Sequence, residues 1–467
     1  MTTLKRTMGF WQAFATATGL VVAGTTMVSL GYSMGLVGPA FIVSAFLAMI
    51  VSILVSFSYA ELASYIPGAG MIGDYTMVAM GRFMAIVAVL GGYIVLVTAA
   101  GAMESITAGL AAEMLSPSIN STTVALGLLI LFLIINLLGV GIFGSVQVVV
   151  TGAMILTVSI MGLLGIFELG TSSESLSNVP FNPAGWGTVF QSLALGIWLY
   201  IGIEYVAPMA EEVKNPSKNI PKAMIAGLIV IFIADMLFGQ ALTKFVSLDQ
   251  LVTSETPQVD GAVAMFGKLG LFWMVIVTIL ASASSINSHM AAVPRMLYGL
   301  AREGLLPKVF TYLHPKFRTP WAGIIAVFLL LCVPFLLSIN IDLIATLILA
   351  SCVTWLISYI IAQINVIILR KKYPLVKRPF KTPFYPIPQV IGILACIYMI
   401  FTIHPELGMK IQIYSISGGF MAAIILYAVI WLKAKNMPLF NPVPLEELTT
   451  NVQYETNQKV EKVSESI

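Results

Sequence analysis

The first apolar run of the chain, residues 10–31, contains the stretch Gly19-Leu-Val-Val-Ala-Gly24-Thr25. The run is long enough to cross a bilayer, because a membrane-spanning helix needs about 20 mostly apolar residues. Its central glycines favour a discontinuous helix, which exists inside a membrane only where a cavity or a ligand satisfies the freed backbone groups. The stretch therefore predicts a binding site within the membrane. Close packing between helices is the alternative explanation of the glycines.

A second run, residues 189–210, contains Gly196 and Gly202. It is the sixth apolar run, five after the first, and an odd number of crossings gives two halves of a protein opposite orientations. Glycine-interrupted segments at matching places in two halves are typical of transporters built from inverted repeats. We therefore expect a first repeat over about residues 10–168 and a second over about 189–369.

The composition excludes an ordinary soluble protein. Hydrophobic residues make up 58% of the 467 residues and charged residues only 10%, with a mean hydropathy of +0.96. A soluble domain carries about 25% charged residues. The chain cannot cover a water-facing surface, so lipid must be its main solvent.

Sequence motifs of enzymes and ATP-driven pumps are absent. No GxxxxGK[ST], HExxH or CxxC motif occurs, and such motifs mark phosphate-binding and metal sites. The three cysteines lie in apolar runs, where they indicate small buried hydrophobic residues: Cys332, Cys352 and Cys396. We therefore expect no enzymatic activity, cofactor, metal or nucleic-acid partner.

Twelve apolar runs are long enough to span a bilayer, so the expected fold is an all-α polytopic membrane protein. The runs lie near residues 10–31, 37–60, 83–115, 121–139, 142–168, 189–210, 222–246, 267–300, 320–338, 341–369, 386–404 and 411–433. Residues 1–435 are expected to form one transport domain whose last two helices, at about 386–433, lie outside the repeats. The polar tail 436–467 is expected to be disordered or loosely associated with the membrane.

Lysine and arginine positions predict the orientation, because cytoplasmic loops retain these residues. With the N-terminus inside, most of them fall on the cytoplasmic side, whereas Lys244, Lys268 and Lys410 fall outside. We therefore expect both termini in the cytoplasm and a multi-pass location in the cytoplasmic (inner) membrane.

Five ordered blocks of sequence lie in the loops on the expected cytoplasmic side or beside the second glycine pair. They are Tyr59-Ala-Glu61-Leu-Ala-Ser-Tyr-Ile-Pro67-Gly68-Ala-Gly70, Tyr200-Ile-Gly202-Ile-Glu204 with Glu211-Glu212-Val-Lys214-Asn215-Pro216, Ala301-Arg302-Glu303-Gly304-Leu-Leu-Pro307, His314-Pro315-Lys316-Phe-Arg318-Thr-Pro320 and Arg378-Pro379-Phe-Lys381-Thr-Pro383. These blocks resemble signatures of the amino acid–polyamine–organocation (APC) permeases. The resemblance implies a LeuT-type fold, with a five-plus-five inverted repeat, discontinuous helices 1 and 6, and two extra helices.

The resemblance also implies a substrate site between the two broken helices. A helix N-terminus attracts a carboxylate, and a helix C-terminus attracts an ammonium group. Trp198 would be an aromatic gate over the substrate, and Gly202 would lie at the second break. The other implied groups are the N–H groups of Ala23, Gly24 and Thr25 for a carboxylate and the carbonyl groups near Val21, Trp198 and Ile201 for an amine.

The first break departs from the family pattern. Many relatives have G-S/A-G where this chain has Ala23-Gly24-Thr25, so the site for a carboxylate is altered. The stretch also resembles ethanolamine permeases, whose substrate has no carboxylate. Some proton-coupled relatives have a lysine in the fifth span where this chain has Met154. The substrate is therefore either an amino acid or an amine.

Ionisable residues inside a membrane are costly and are candidates for function. Glu104 lies near the middle of the third span, where it would pair with a substrate amine or carry a proton. His289 in the eighth span would bind substrate or respond to pH. For both residues, a structural hydrogen bond between helices is the alternative.

Three further residues are candidates for coupling or gating. Glu204 follows the second break and resembles the residue implicated in proton-linked gating in relatives, unless it only caps the half-helix. Ser284 and Ser285 lie where sodium-coupled members of the wider fold place hydroxyl ligands, which suit a hard cation. Serine is also common in helix packing.

The expected function is secondary active transport of an amino acid by alternating access. A proton gradient, a sodium gradient or exchange would drive it, so the expected partners are the substrate, H+ or Na+, and the lipid bilayer. One alternative is an amine carrier for a polyamine or ethanolamine. The other is a channel or sensor that retains the fold without transport.

Overall fold

The computed structural model of the protein describes residues 4–176, 179–336, 341–404 and 406–448. Within these residues the chain is built from helices, and its β-type contact is an isolated bridge between Met8 and Val213. The predicted all-α class is confirmed.

The α-helices are numbered in chain order. The first nine are α1 (Phe10–Val21), α2 (Gly24–Val37), α3 (Phe41–Tyr65), α4 (Ile72–Met80), α5 (Arg82–Ile86), α6 (Val95–Glu113), α7 (Ser121–Leu137), α8 (Val140–Ile166) and α9 (Gly185–Gln191). The others are α10 (Leu193–Trp198), α11 (Pro216–Phe245), α12 (Leu248–Thr253), α13 (Pro257–Arg302), α14 (Trp321–Leu336), α15 (Ile341–Lys372), α16 (Ile387–Phe401) and α17 (Leu407–Ala434). A π-helix, Val87–Ile94, joins α5 to α6, and a 3-10 helix, Ile203–Met209, follows α10.

Many of these helices are suited to a bilayer. In the described chain, 8 helices are long and apolar enough to cross a membrane, or 9 if α1 and α2 form one bent span. Three shorter apolar helices, α7, α14 and α16, accompany them. Large apolar side chains such as Ile134 and Val149 are exposed on the outside of the bundle, as lipid contact requires. The protein is a multi-pass membrane protein.

The first predicted span is longer than expected and is broken. Helices α1 and α2 meet at an angle of 55°, with Val22 and Ala23 between them. Gly24 begins α2, whereas Gly19 lies inside α1. A Cβ atom on Gly19 would lie 2.5 Å from Ser284 Oγ and 2.9 Å from Thr151 Oγ1. Gly24 therefore marks the break, and Gly19 allows close packing.

At the second predicted break, as at the first, one glycine marks the break and the other allows close packing. Gly202 has φ +106° and separates α10 from the 3-10 helix, a conformation that glycine adopts at little cost. Gly196 lies inside α10, where an added Cβ would be 2.9 Å from Ala48 Cβ. An added Cβ on Gly202 would meet Leu20 at 2.7 Å. The two breaks therefore lie side by side.

Packing places these breaks at the centre of the bundle. Helix α1 contacts α8, α11, α13 and the 3-10 helix, and α6 contacts α13, α14 and α15. The eighth predicted span is the later part of α13, which bends at Gly267 (φ +58°). Helices α6, α13 and α15 thus border the two breaks.

The beginning of the predicted polar tail is ordered, contrary to expectation. Phe83 N donates to the Leu439 carbonyl at 2.9 Å, and Val443 N donates to the Met77 carbonyl at 3.1 Å. Val443 and Leu448 are buried. Apolar residues in this segment pack against α4 and α5. The prediction considered only the overall polarity of the tail and did not consider these residues. The remainder of the tail lies outside the described residues.

Candidate functional site

A cavity lies where the two breaks meet α6, α13 and α15. Trp355 and Ser351 of α15 form part of its wall. Eight residues singled out from the sequence border it: Val21, Ala23, Thr25, Glu104, Trp198, Ile201, Ser285 and His289. The tertiary fold therefore brings most of the predicted site residues together.

Glu104 is bound to the beginning of α2. Its Oε2 accepts a hydrogen bond from the Gly24 N–H at 2.8 Å, and its Oε1 accepts one from Thr25 Oγ1. Ser282 Oγ lies 3.5 Å from Oε2. The N-terminus of a helix carries partial positive charge, so this carboxylate is held by the electrostatics of the break while it still borders the cavity.

Three further backbone groups at the first break contact Thr26. The Ala23 N–H donates to Thr26 Oγ1 at 2.7 Å. The same hydroxyl lies 2.9 Å from the Val21 carbonyl oxygen and 2.8 Å from that of Ala23. Thr26, which sequence reasoning missed, caps the break with its short polar side chain. The predicted contacts of Val21 and Ala23 with substrate stay predictions.

The second break is tied to α15. The Gly202 N–H donates to Tyr359 Oη at 3.2 Å. Buried Glu204 accepts hydrogen bonds from Tyr359 Oη at 2.6 Å and from Trp355 Nε1 at 2.8 Å. Trp355 and Tyr359 are four residues apart and therefore lie on one face of α15. Sequence reasoning missed both residues, although two aromatic side chains with a hydrogen-bond donor at this spacing could have indicated a shared polar partner. Glu204 lies beside the cavity and connects the second break to its wall.

His289 is held in the wall by two neighbours. Its Nε2 lies 3.0 Å from Thr98 Oγ1, and its ring stacks on Tyr205 with centroids 5.8 Å apart. Both contacts come from segments next to the cavity. His289 borders the cavity, and one of its two ring nitrogens, Nε2, is already within hydrogen-bonding distance of the protein.

Ser284 and Ser285 point to different surroundings. Ser285 borders the cavity, whereas Ser284 Oγ lies 2.6 Å from Thr151 Oγ1 and 2.9 Å from Gln147 Nε2. Gln147 Nε2 also lies 2.9 Å from Ser288 Oγ and 3.2 Å from the carbonyl oxygen of Ala15. Sequence reasoning missed Gln147. Gln147 and Thr151 are four residues apart on an otherwise apolar helix, and this spacing could have indicated a buried polar contact.

A wider vestibule adjoins the cavity, and Tyr32, Glu255, His404 and Lys410 are among its lining residues. The two share Thr25, Trp198, Ile201 and Ile348 in their walls. The vestibule lies on the face of the bundle opposite the N-terminus, because the end of α2, the start of α13 and the start of α17 contribute to its lining. Trp198 stands between the vestibule and the cavity.

The N-terminal face of the bundle is closed by buried ion pairs. Arg295 donates to Glu212 at 2.7 and 3.1 Å, and Arg302 donates to Glu211 at 2.7 and 3.1 Å. Both carboxylates are 1% exposed. These pairs join α13 to the segment between the second break and α11.

A third pair on the same face joins the first sequence block to α15, and a backbone contact joins that block to the last one. Arg370 donates to Glu61 at 2.8 and 2.6 Å, and the Thr382 N–H donates to Glu61 at 2.7 Å. The Ala69 N–H also donates to Glu211 at 3.1 Å. Several of the blocks recognised in the sequence therefore meet in space on the face opposite the vestibule.

Comparisons with known proteins identify the family of the chain. The family model described as amino acid permease matches residues 8–430. The chain is 26% identical to the branched-chain amino acid permease BcaP of Bacillus subtilis, over 86% of this chain and 88% of that protein. It is 28% identical to the methylthioribose transporter of Bacillus subtilis, over 83% and 84%. It is 27% identical to the serine/threonine exchanger SteT of the same organism, over 58% and 61%. With the match covering nearly all of the helical bundle, the chain belongs to the amino acid permease family.

Proposed function

We propose that this permease carries a small amine-bearing solute, an amino acid or an amine, across the cytoplasmic membrane by alternating access. The observation that carries the proposal is a cavity between two broken helices that adjoins a vestibule on one side. On the opposite face, buried ion pairs hold the helices together. A site that is accessible from one side at a time is the requirement of alternating access. The substrates of two of the relatives, branched-chain amino acids and serine or threonine, support the solute class, whereas methylthioribose, the substrate of the third, has no amine.

The proposed topology has twelve spans. The bent pair α1–α2, the eight long helices and the three short apolar helices together supply that number. Five spans in each inverted repeat and two at the C-terminus agree with the placement of the two breaks in spans one and six. The distribution of lysine and arginine supports cytoplasmic termini, so the vestibule would face outward.

In the transport cycle, the ion pairs on the N-terminal face would separate as the vestibule closes. Arg295–Glu212 and Arg302–Glu211 connect α13 to the second broken span. Movement of that span relative to α13 would open the cavity inward. Trp198 would close the outer side, because it borders both the cavity and the vestibule.

Coupling through sodium at Ser284 is disfavoured in this proposal. The Gln147 amide nitrogen already lies among the Ser284, Ser288 and Ala15 oxygens. Such oxygens would otherwise be suitable ligands for a hard cation. We therefore favour exchange or a proton, with Glu104 and Glu204 as the candidate proton carriers.

Counterflow in proteoliposomes tests the proposal. Vesicles that contain the full chain and are preloaded with an unlabelled amine or amino acid should accumulate the external tracer faster and to a higher transient level than empty vesicles. Equal tracer entry with and without preloading would contradict carrier-type transport and favour the channel or sensor alternative.

A further inference from the structure

Glu104 occupies the position at the first break that a substrate carboxylate would need. It accepts hydrogen bonds from the Gly24 N–H at 2.8 Å and from Thr25 Oγ1. The neighbouring Ala23 N–H donates to Thr26 Oγ1 at 2.7 Å. A helix N-terminus favours an anion within its first turn. Here that anion is supplied by the protein itself.

The charged residues of the cavity wall also favour a cationic substrate. Among the described residues that border the cavity, Glu104 is the single acidic side chain, and no lysine or arginine is present. An ammonium group that enters therefore finds a counter-ion, whereas a carboxylate finds no lysine or arginine. The other titratable side chain of the wall is His289, whose Nε2 lies 3.0 Å from Thr98 Oγ1. Burying a charge without a partner is strongly unfavourable.

Aromatic walls complete a site for a cation. Trp198 and Trp355 border the same cavity as Glu104. The faces of indole rings attract cations through their quadrupole. The apolar side chains of Val97, Ile286 and Leu331 form further parts of the wall and would accommodate the carbon skeleton of a small amine.

We propose that the cavity selects small organic amines that have no carboxylate next to the amine, with Glu104 as their built-in counter-ion. The corresponding amino acid is disfavoured because its carboxylate must displace Glu104 from Gly24 or lie against it. Two carboxylates at contact distance repel strongly. This inference rests on the proposed transport function and narrows its substrate class.

Matched pairs that differ only in the carboxylate provide the test: ethanolamine with serine, putrescine with ornithine, and 3-methylbutylamine with leucine. Full-chain protein in proteoliposomes is assayed by counterflow with a labelled member of each pair, and the unlabelled partners are compared as competitors. For at least one pair, the amine should compete at a concentration at least about tenfold lower than its amino acid, given the repulsion between carboxylates.

Glu104→Gln then assigns the preference to the carboxylate. The substitution keeps the size of the side chain and an oxygen for the Gly24 N–H, but it removes the negative charge. The ratio of amine to amino acid affinity should fall at least about tenfold, because the counter-ion and the repulsion are both lost. Glu113→Gln is the matched control, since Glu113 is an exposed carboxylate at the end of the same helix; its ratio should equal that of the wild type.

The outcomes separate the two levels of the proposal. Exchange in which every amino acid competes at least as well as its amine would overturn the amine preference and leave transport intact. An amine preference that persists unchanged in Glu104→Gln would overturn the role of Glu104. Absence of counterflow with all six compounds would overturn the transport function itself, and the amine preference with it.

Discussion

At the residue scale, Trp198 is the side chain that separates the cavity from the vestibule. It borders both the cavity and the vestibule and lies at the last position of α10, directly before the second break. Removal of the indole would join the two spaces without disturbing the ion pairs on the other face. The effect should therefore appear in transport and leave the fold intact.

We predict that Trp198→Ala lowers the rate of counterflow at least about tenfold, in line with the loss of a positioning side chain, while the detergent-solubilised protein melts within a few degrees of the wild type. Trp198→Phe should recover part of the rate. Trp186→Ala is the control, because Trp186 is an exposed tryptophan in the same span. Full activity of Trp198→Ala would remove this residue from the gate.

Also at the residue scale, the buried carboxylates could be predicted from the sequence, but several of their hydrogen-bond partners could not. Glu104 and Glu204 were evident as costly intramembrane carboxylates. Their partners Gly24 and Tyr359 are distant in sequence, at separations of 80 and 155 residues. No local pattern encodes such a contact, since it depends on how separate helices pack.

At the scale of elements, α1, α8 and α13 are joined by one buried amide. Gln147 on α8 contacts the Ala15 carbonyl oxygen on α1 and Ser284 on α13, and its Oε1 accepts from Asn287 Nδ2 at 2.7 Å. All these groups are buried. The amide therefore satisfies polar atoms of three helices that lipid could not solvate.

We predict that Gln147→Leu lowers the free energy of unfolding by about 1–3 kcal/mol, the usual cost when a buried polar partner is lost. The measurement is thermal unfolding in detergent. Gln250→Leu serves as the control, because Gln250 is exposed on α12. An unchanged melting temperature for Gln147→Leu would show that the Gln147 amide does not stabilise the contact between the three helices.

The glycines show the limit of element prediction. Gly19 and Gly24 are equivalent in the sequence pattern, yet Gly24 begins a helix and Gly19 lies inside one. The difference arises because Gln147 and Thr151 pack against the backbone at Gly19. Whether a membrane glycine breaks a helix or accommodates a neighbour is thus decided by the neighbour.

At the scale of the whole molecule, the face opposite the vestibule is dense with buried charge. Asp74 on α4 accepts a hydrogen bond from the Gly70 N–H at 3.1 Å. Arg302, Glu211 and Glu303 are the charged groups that act on it. Burial raises the pKa of Asp74 from 3.8 to about 7, although Arg302 acts in the opposite direction.

This shift predicts how stability changes with pH. Between about pH 4 and pH 7 the unfolded carboxyl group loses its proton while the folded one retains it, so the free energy of unfolding falls as the pH rises and is level above pH 7. One pKa unit corresponds to about 1.4 kcal/mol, so the full change is on the order of 4 kcal/mol. Asp74→Asn should remove this decline, because asparagine does not titrate.

Melting temperatures of the wild type and Asp74→Asn between pH 4.5 and pH 7.5 provide the measurement, and their difference cancels the titration of other groups. Asp249→Asn is the control, since Asp249 is exposed on α12. Parallel pH profiles for the wild type and Asp74→Asn would mean that Asp74 is ionised throughout this range.

Hydrophobic length, the low proportion of charged residues and the ordered motifs were sufficient to identify a polytopic permease with two interrupted helices. These properties act locally, because each helix must be apolar enough for lipid regardless of its neighbours. The contact of Glu104 with Gly24, the Gln147 network and the ion pairs that close one face arise only when the helices assemble. Long-range packing places an intrinsic carboxylate at the first helix break, and our proposal that the substrate is an amine rests on that contact.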